Sequence, residues 1–210
     1  MNDLPAIYLA RHGETAWSRT GQHTGLTDLP LTDRGVQEAH DLARRLGRIS
    51  FAKVFTSPLQ RAARTCELAG FGAVAETDAD LVEWNYGKYE GRRTAEIHAE
   101  APDWNLFRDG CPGGETPAQI GARADRVLQR LRAVNGTALV FSSGHFLRVL
   151  AARFLGMDAA GGRFFTLSTA SLSVLGFENN LSQPVVWLWN DTSHVTKDAS
   201  VSVPVAKAGQ

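Results

Sequence analysis

Ala6-Ile7-Tyr8-Leu9-Ala10-Arg11-His12-Gly13-Glu14 is the stretch that decides the fold. A short apolar run ends abruptly in a cation, an imidazole, a glycine and a carboxylate, the pattern of a buried strand releasing its loop. Open α/β sheets bind their ligands in the crevice outside the carboxyl ends of the strands. Arg11 and His12 arriving there together point to anion chemistry, with an imidazole able to attack phosphorus. Gly13 lets the backbone turn close to a ligand.

Outward from this stretch, strand and helix patterns alternate. Val36, Ala39, Leu42, Ala43 and Leu46 recur at helical spacing after Thr32-Asp33, and Gly47 closes the helix as a glycine just past its end does. Val54-Phe55-Thr56 predicts a strand. Ser57-Pro58 offers a cap and a first-turn proline for a helix through Leu59, Ala62, Ala63 and Leu68, whose N-terminus, with Arg61, suits an anion. Between Asp80 and Pro117 the periodicity weakens into a glycine-rich excursion, with one helical piece near Thr94 to Glu100. A helix from Pro117 to about Val134 precedes the buried strand Ala138-Leu139-Val140-Phe141, which turns at Ser142-Ser143-Gly144 into a helix carrying Phe146, Leu147, Leu150, Phe154 and Leu155. Leu172, Val174 and Phe177, the turn at Asn179-Asn180, and Val185 to Trp189 predict a β-hairpin. The expectation is a three-layer α/β/α fold, with a mostly parallel central sheet and an antiparallel C-terminal hairpin. Residues 1–192 form a single domain in this reading, and 193–210 a polar, poorly ordered tail.

Composition narrows the function. With 210 residues, 43% hydrophobic and 21% charged, the chain has material for one good core. Lys plus Arg and Asp plus Glu balance at 22 each, which argues against nucleic acid or an anionic membrane as partner. No run approaches a membrane span and no basic-then-apolar leader precedes the first strand, so a cytoplasmic location is expected. Cys66 and Cys111 make neither a disulfide framework nor a metal spacing and read as free thiols. The terminal strand around Trp187 and Trp189 is core, a covered sheet edge or the seam of a homodimer.

Further residues then fall into a pattern. Arg11-His12-Gly13-Glu14-Thr15, Gln22-His23-Thr24-Gly25, Leu31-Thr32, Gly35, Ser57-Pro58-Leu59 with Arg61, and Glu83 with Gly87, Glu90 and Gly91 resemble the histidine phosphatase superfamily. Phe107 to Glu115, Gly144-His145-Phe146-Leu147-Arg148 and Thr169-Ala170-Ser171-Leu172 extend the resemblance over nearly the whole chain. It is closest to the small phosphatase branch, because the long insertion of the phosphoglycerate mutases is missing between Glu83 and Pro112.

The resemblance implies hydrolysis of a small phosphomonoester through a phosphohistidine on His12. Arg11 and Arg61 clamp the phosphoryl oxygens, Ser18, Thr24, Gly25, Gly144 and His145 face the substrate, and Glu83 donates the leaving-group proton. Trp84 and Tyr86 wall Glu83 and the pocket, with Phe107 and Arg108 at its mouth. Neither metal nor cofactor is required, the guanidinium groups supplying the positive charge; small phosphorylated substrates or inorganic phosphate are the expected ligands. One position departs from the pattern: the branch reads small residue, His, Gly, His where this chain reads Ser142-Ser143-Gly144-His145. Ser143 thus replaces the second catalytic histidine. A lost donor of this kind costs about 10²–10³ in kcat, so the expectation is a weakened phosphatase, with a phospho-ligand-binding pseudophosphatase as alternative and mutase-type transfer behind both. Whether the His145 ring compensates is open at this stage.

Overall fold

The deciding stretch becomes β1 (Ile7–Arg11) at the middle of a six-stranded sheet, in a computed structural model that describes residues 4–195. After it come α1 (Ala16–Thr20), α2 (Asp33–Leu46), β2 (Lys53–Thr56), α3 (Gln60–Leu68) and β3 (Ala75–Thr77). The excursion holds two 3₁₀ turns, α4 (Thr94–Glu100) and α5 (Leu106–Asp109). Then α6 (Pro117–Arg132), β4 (Ala138–Ser142), α7 (Gly144–Phe154), a third 3₁₀ segment, β5 (Leu172–Phe177) and β6 (Pro184–Asp191) complete the chain.

Spatial order is β3-β2-β4-β1-β5-β6. β3, β2, β4 and β1 run parallel, and β5 pairs antiparallel with both β1 and β6. The expected three-layer, mostly parallel architecture with its C-terminal hairpin is therefore found. Side chains alternate between the faces: Ile7, Leu9, Ala138 and Val140 join one core with α6 and α7, while Ala10, Leu139 and Phe141 join another with Leu42, Leu46 and Cys66 of α2 and α3. Burial on both faces explains why β4 reads as a continuous apolar run. Cys66 and Cys111 are buried free thiols, each pushed up to about 12 chiefly by burial, which makes them unreactive packing.

Two details differ from expectation. Gly47 ends α2 with φ −63°, an ordinary helical conformation, so a left-handed residue is not what stops the helix. The helix after β2 begins at Gln60 with Leu59 as its cap, not at Ser57-Pro58. Asp28 occupies that N-terminus, accepting from Gln60 N at 2.8 Å, so the anion there is one of the chain's own carboxylates. α1, α5 and β3, only three to five residues each, had no periodic signal long enough to read. β6 forms the sheet edge, with Trp187 exposed and Trp189 packed on Phe165. Of the expected tail, residues 196–210 lie outside the described residues.

Candidate active site

Neighbouring parallel strands bring the chemistry together. Arg11 pairs with Ser142 in register, and His12 N donates to Ser142 O at 3.0 Å, so the next residues, His12 and Ser143, leave the sheet side by side. On the other side of β4, Ser57 N donates to Phe141 O at 3.0 Å. The carboxyl ends of β1, β4 and β2 thus open on one face.

A cavity of about 240 Å³ lies there, lined by Arg11, His12, Ser18, Thr24, Tyr86 and Glu83, and by Gly144, His145 and Arg148 of α7. His12 is only 4% exposed, and its Nδ1 lies 2.7 Å from Gly13 O. A carbonyl only accepts, so Nδ1 carries the proton and Nε2 keeps its lone pair. Burial, then the charges of Arg11 and Arg61, hold the imidazole well below its usual 6.5 and so neutral. Gly13 serves a purpose other than the expected approach to ligand. A Cβ there would lie 2.3 Å from Gly35 O, so its absence lets β1's loop rest on the start of α2. Glu14 fastens the same joint: its N–H donates to Glu38 at 2.8 Å and its Oε1 accepts from Thr32 Oγ1 at 2.8 Å.

Arg11 donates to Leu167 O, and its Nε is buried without a partner. Gly144 makes the room, since a Cβ at that position would sit 3.2 Å from Arg11 Cζ. Arg61 is fully buried and donates to Thr24 O, Gly25 O and Thr27 O at 2.8–3.1 Å, its Nε also unpartnered. Neither guanidinium has a carboxylate within ion-pair distance among the described residues, and burial lowers the pKa of both from the ordinary guanidinium value. Both are buried cations held by carbonyls, Arg11 on the cavity wall and Arg61 close enough to feel its charge; Arg61 and Ser143 are not themselves among the residues that line the cavity.

Glu83 faces them. Its Oε1 accepts from Trp84 N at 2.8 Å and Phe146 N at 2.7 Å, and its Oε2 from His145 N at 2.9 Å. The carboxylate is thereby pinned across the N-terminus of α7. Behind it Arg123, absent from the sequence reading, donates to Asp80 O, Val82 O and Glu83 O and pairs with Glu115 at 2.7 Å. Ser143 is fully buried, its hydroxyl makes no capping bond, and Oγ has no partner. The His145 ring is held elsewhere: Tyr86 Oη lies 2.5 Å from its Nδ1, with Phe107 and His23 around it. Burial pushes the Tyr86 phenol well above 10, so it keeps its proton, and burial likewise holds the His145 ring, which lines the cavity, well below 6.5 and so neutral.

Some expected contacts fall away from the cavity. Gly25 is not at its wall: its N–H goes to Glu90 at 2.8 Å, and a Cβ would lie 2.6 Å from Trp84 O, so it is glycine for close packing. Trp84 is core, edge-on to Phe107 and donating to Glu115 O at 2.9 Å, rather than a pocket wall. Arg108 is spent on Asp109 at the surface. Conversely, His23, Thr94, Arg148 and Leu167 line the cavity without having been singled out. For Arg148 a signal existed, since it stands one helical turn beyond Gly144.

The histidine phosphatase superfamily (branch 1) model matches residues 7–192. An acid phosphatase of Mycobacterium tuberculosis is 40% identical over 184 residues, covering 86% of this chain and 90% of that protein. A sedoheptulose 1,7-bisphosphatase of Saccharomyces cerevisiae is 38% identical over 186 residues, covering 73% of this chain and 68% of that protein. Among solved structures, a functionally characterised M. tuberculosis reading frame superposes with a TM-score of 0.84 at 38% identity, covering 88% of this chain and 96% of its own. An α-ribazole phosphatase of Shigella flexneri gives 0.78 at 27% identity, over 89% and 96% respectively. With the sheet order, the cavity and these likenesses in agreement, the chain belongs to branch 1 of the histidine phosphatase superfamily.

Proposed function

We propose that this protein is a phosphatase that hydrolyses a small phosphomonoester by way of a phosphohistidine on His12, at a rate held down by the serine at position 143. The observation that carries the reading is the His12 ring, which spends Nδ1–H on Gly13 O and keeps Nε2 unprotonated in the cavity that Arg11 and Glu83 line. In the first step Nε2 attacks phosphorus in line, the P–O bond to the leaving oxygen breaks, and Glu83 gives that oxygen its proton. Oε2 is the oxygen suited to this transfer, because it accepts one N–H where Oε1 accepts two. In the second step water attacks the phosphorus, Glu83 takes the water's proton, and the P–N bond breaks to return neutral His12 and phosphate. Arg11 on the cavity wall, with Arg61 buried nearby, holds the phosphoryl charge throughout, and the Ser18 and Thr24 hydroxyls turn from Thr15 O and Gln22 O to donate to the bound phosphate. Gly144 leaves Arg11 its place. The phosphatases named among its relatives point to the same reaction class.

Ser143 beside His12 can donate one hydrogen bond but brings no positive charge, and this is where turnover is lost. The His145 ring, held neutral by burial, brings no charge either. A second reading rests on the same orphan hydroxyl: a cradle that binds phosphate esters and releases product too slowly to matter. Rapid acid-free quench with a labelled phosphomonoester decides between them. The first reading predicts an acid-labile, base-stable phosphoprotein whose label maps to His12 and is absent from His12→Ala; ligand binding with no label in the unmutated protein supports the second.

A further inference from the structure

We infer that Glu38, a buried residue of α2 outside the cavity, is a positioning residue that sets the tautomer of His12 through the Gly13–Glu14 peptide. The inference rests on the phosphatase reading of the site. Glu14 is the one member of the motif Arg11-His12-Gly13-Glu14 with no part in the chemistry, and it lies where β1's loop meets the start of α2. Its N–H donates to Glu38 Oε2 at 2.8 Å, its carbonyl accepts from Thr32 N at 2.9 Å, and its carboxylate accepts from Thr32 Oγ1 at 2.8 Å. Two glycines permit this approach, since a Cβ on either Gly13 or Gly35 would collide with the backbone of the other segment.

An N–H and the carbonyl that precedes it belong to one rigid plane and point in opposite directions. Holding Glu14 N on Glu38 therefore turns Gly13 O the other way, to the place where it accepts from His12 Nδ1 at 2.7 Å. A carboxylate at one end of the peptide also polarises it, which makes the carbonyl a better acceptor. Nδ1 keeps its proton and Nε2 its lone pair, the form that attacks phosphorus. As the N–P bond forms and the bond to the leaving oxygen breaks, Nδ1 retains that proton and positive charge develops on the ring, facing Gly13 O. The preceding peptide is fixed independently, with Gly13 N on Thr65 Oγ1 at 3.0 Å and His12 O accepting from Ala170 N at 3.0 Å. Glu38 thus acts on the one carbonyl that meets the imidazole, and not on the loop at large. Its own freedom is small: Oε1 accepts from Arg34 Nε at 3.1 Å across one turn of α2.

Two measurements on the full chain test the inference: turnover of p-nitrophenyl phosphate, and the nitrogen NMR spectrum of the His12 ring, whose signals are those missing from His12→Ala. Glu38→Met keeps the length of the side chain and removes its acceptor oxygens, whereas Glu38→Gln keeps an acceptor for Glu14 N. Glu38→Met is expected to lower kcat about 30-fold with KM within about threefold, because the ring is misdirected while Arg11 still binds phosphate. Its spectrum is expected to show the proton shared between Nδ1 and Nε2. Glu38→Gln is expected to recover most of the lost kcat and the Nδ1–H signal of the unmutated protein. An unchanged His12 tautomer in folded Glu38→Met overturns the inference, as does a loss carried by KM, or a Glu38→Gln protein as impaired as Glu38→Met. If the unmutated protein turns over no ester, the phosphatase reading is what fails, and the tautomer alone then decides the case of Glu38. Should Glu38→Met not fold, Glu38→Asp, whose carboxylate stops one methylene short of the Glu14 N–H, takes its place with the same expectations.

Discussion

At the scale of single residues, the site is a set of side chains whose freedom has been removed before a ligand arrives. His12 illustrates it: a carbonyl fixes its tautomer, and burial with two neighbouring cations holds its pKa well below 6.5. The sign of the consequence is clear. A nucleophile that resists protonation stays active as the medium is acidified, so kcat/KM is predicted not to fall as pH drops through 6.5. A pH–rate profile against a phosphomonoester checks this, and a half-loss near 6.5 contradicts it. The sequence named Arg11, His12 and Arg61 from residue chemistry and the family resemblance together and Glu83 from the resemblance alone; the structure brings Arg11, His12 and Glu83 onto one cavity with Arg61 buried nearby. Arg148 and His23 were not singled out, since their exposure to the cavity depends on how α7 and the loop before Thr24 pack. Trp84 and Gly25 were misread for the converse reason: nearness in sequence to Glu83 and Thr24 does not fix which way a side chain faces or where an N–H is used.

At the scale of elements, three strand ends and one helix start do the positioning. β1 and β4 align His12 with Ser143, and α7 offers its first N–H groups to Glu83. The segment carrying Glu83 has no regular structure of its own, and Arg123 of α6 substitutes for it by binding three carbonyls of that segment, those of Asp80, Val82 and Glu83. Arg123→Ala removes those donors and strands Glu115 from its partner at 2.7 Å. The expected cost is about 3 kcal/mol in urea unfolding, with a loss of kcat larger than any change in KM, because Glu83 loses its support while the phosphate cradle stays. Alternation of strands and helices was readable along most of the chain. The start of α3 was not, because Ser57-Pro58 looks like a cap while Asp28, distant in sequence, supplies the actual N-terminal acceptor.

At the scale of the whole molecule, equal numbers of acidic and basic residues leave no overall field, and positive potential is concentrated where Arg11, Arg61 and Arg148 lie near one another around a single acid. Because guanidinium groups supply that charge, phosphatase activity is predicted to be unchanged by EDTA; strong inhibition contradicts the mechanism. The buried imidazoles also set the acid stability. His12 and His145 both titrate below 6.5 when folded, so as pH falls through 6.5 the unfolded chain binds protons that the folded chain refuses, and stability declines from there downward. Melting temperatures across pH 7 to 5 are expected to fall, and less so in His12→Ala.

The central claim is that Ser143, orphaned and buried next to His12, holds the place of a second phosphate-facing imidazole. The measurement that tests it most directly is the turnover of a generic phosphomonoester by Ser143→His beside the unmutated protein, with His12→Ala introduced into both. The account predicts a gain in kcat of about 10²–10³ for Ser143→His and no activity in either His12→Ala protein. A folded Ser143→His protein with no gain in kcat contradicts it.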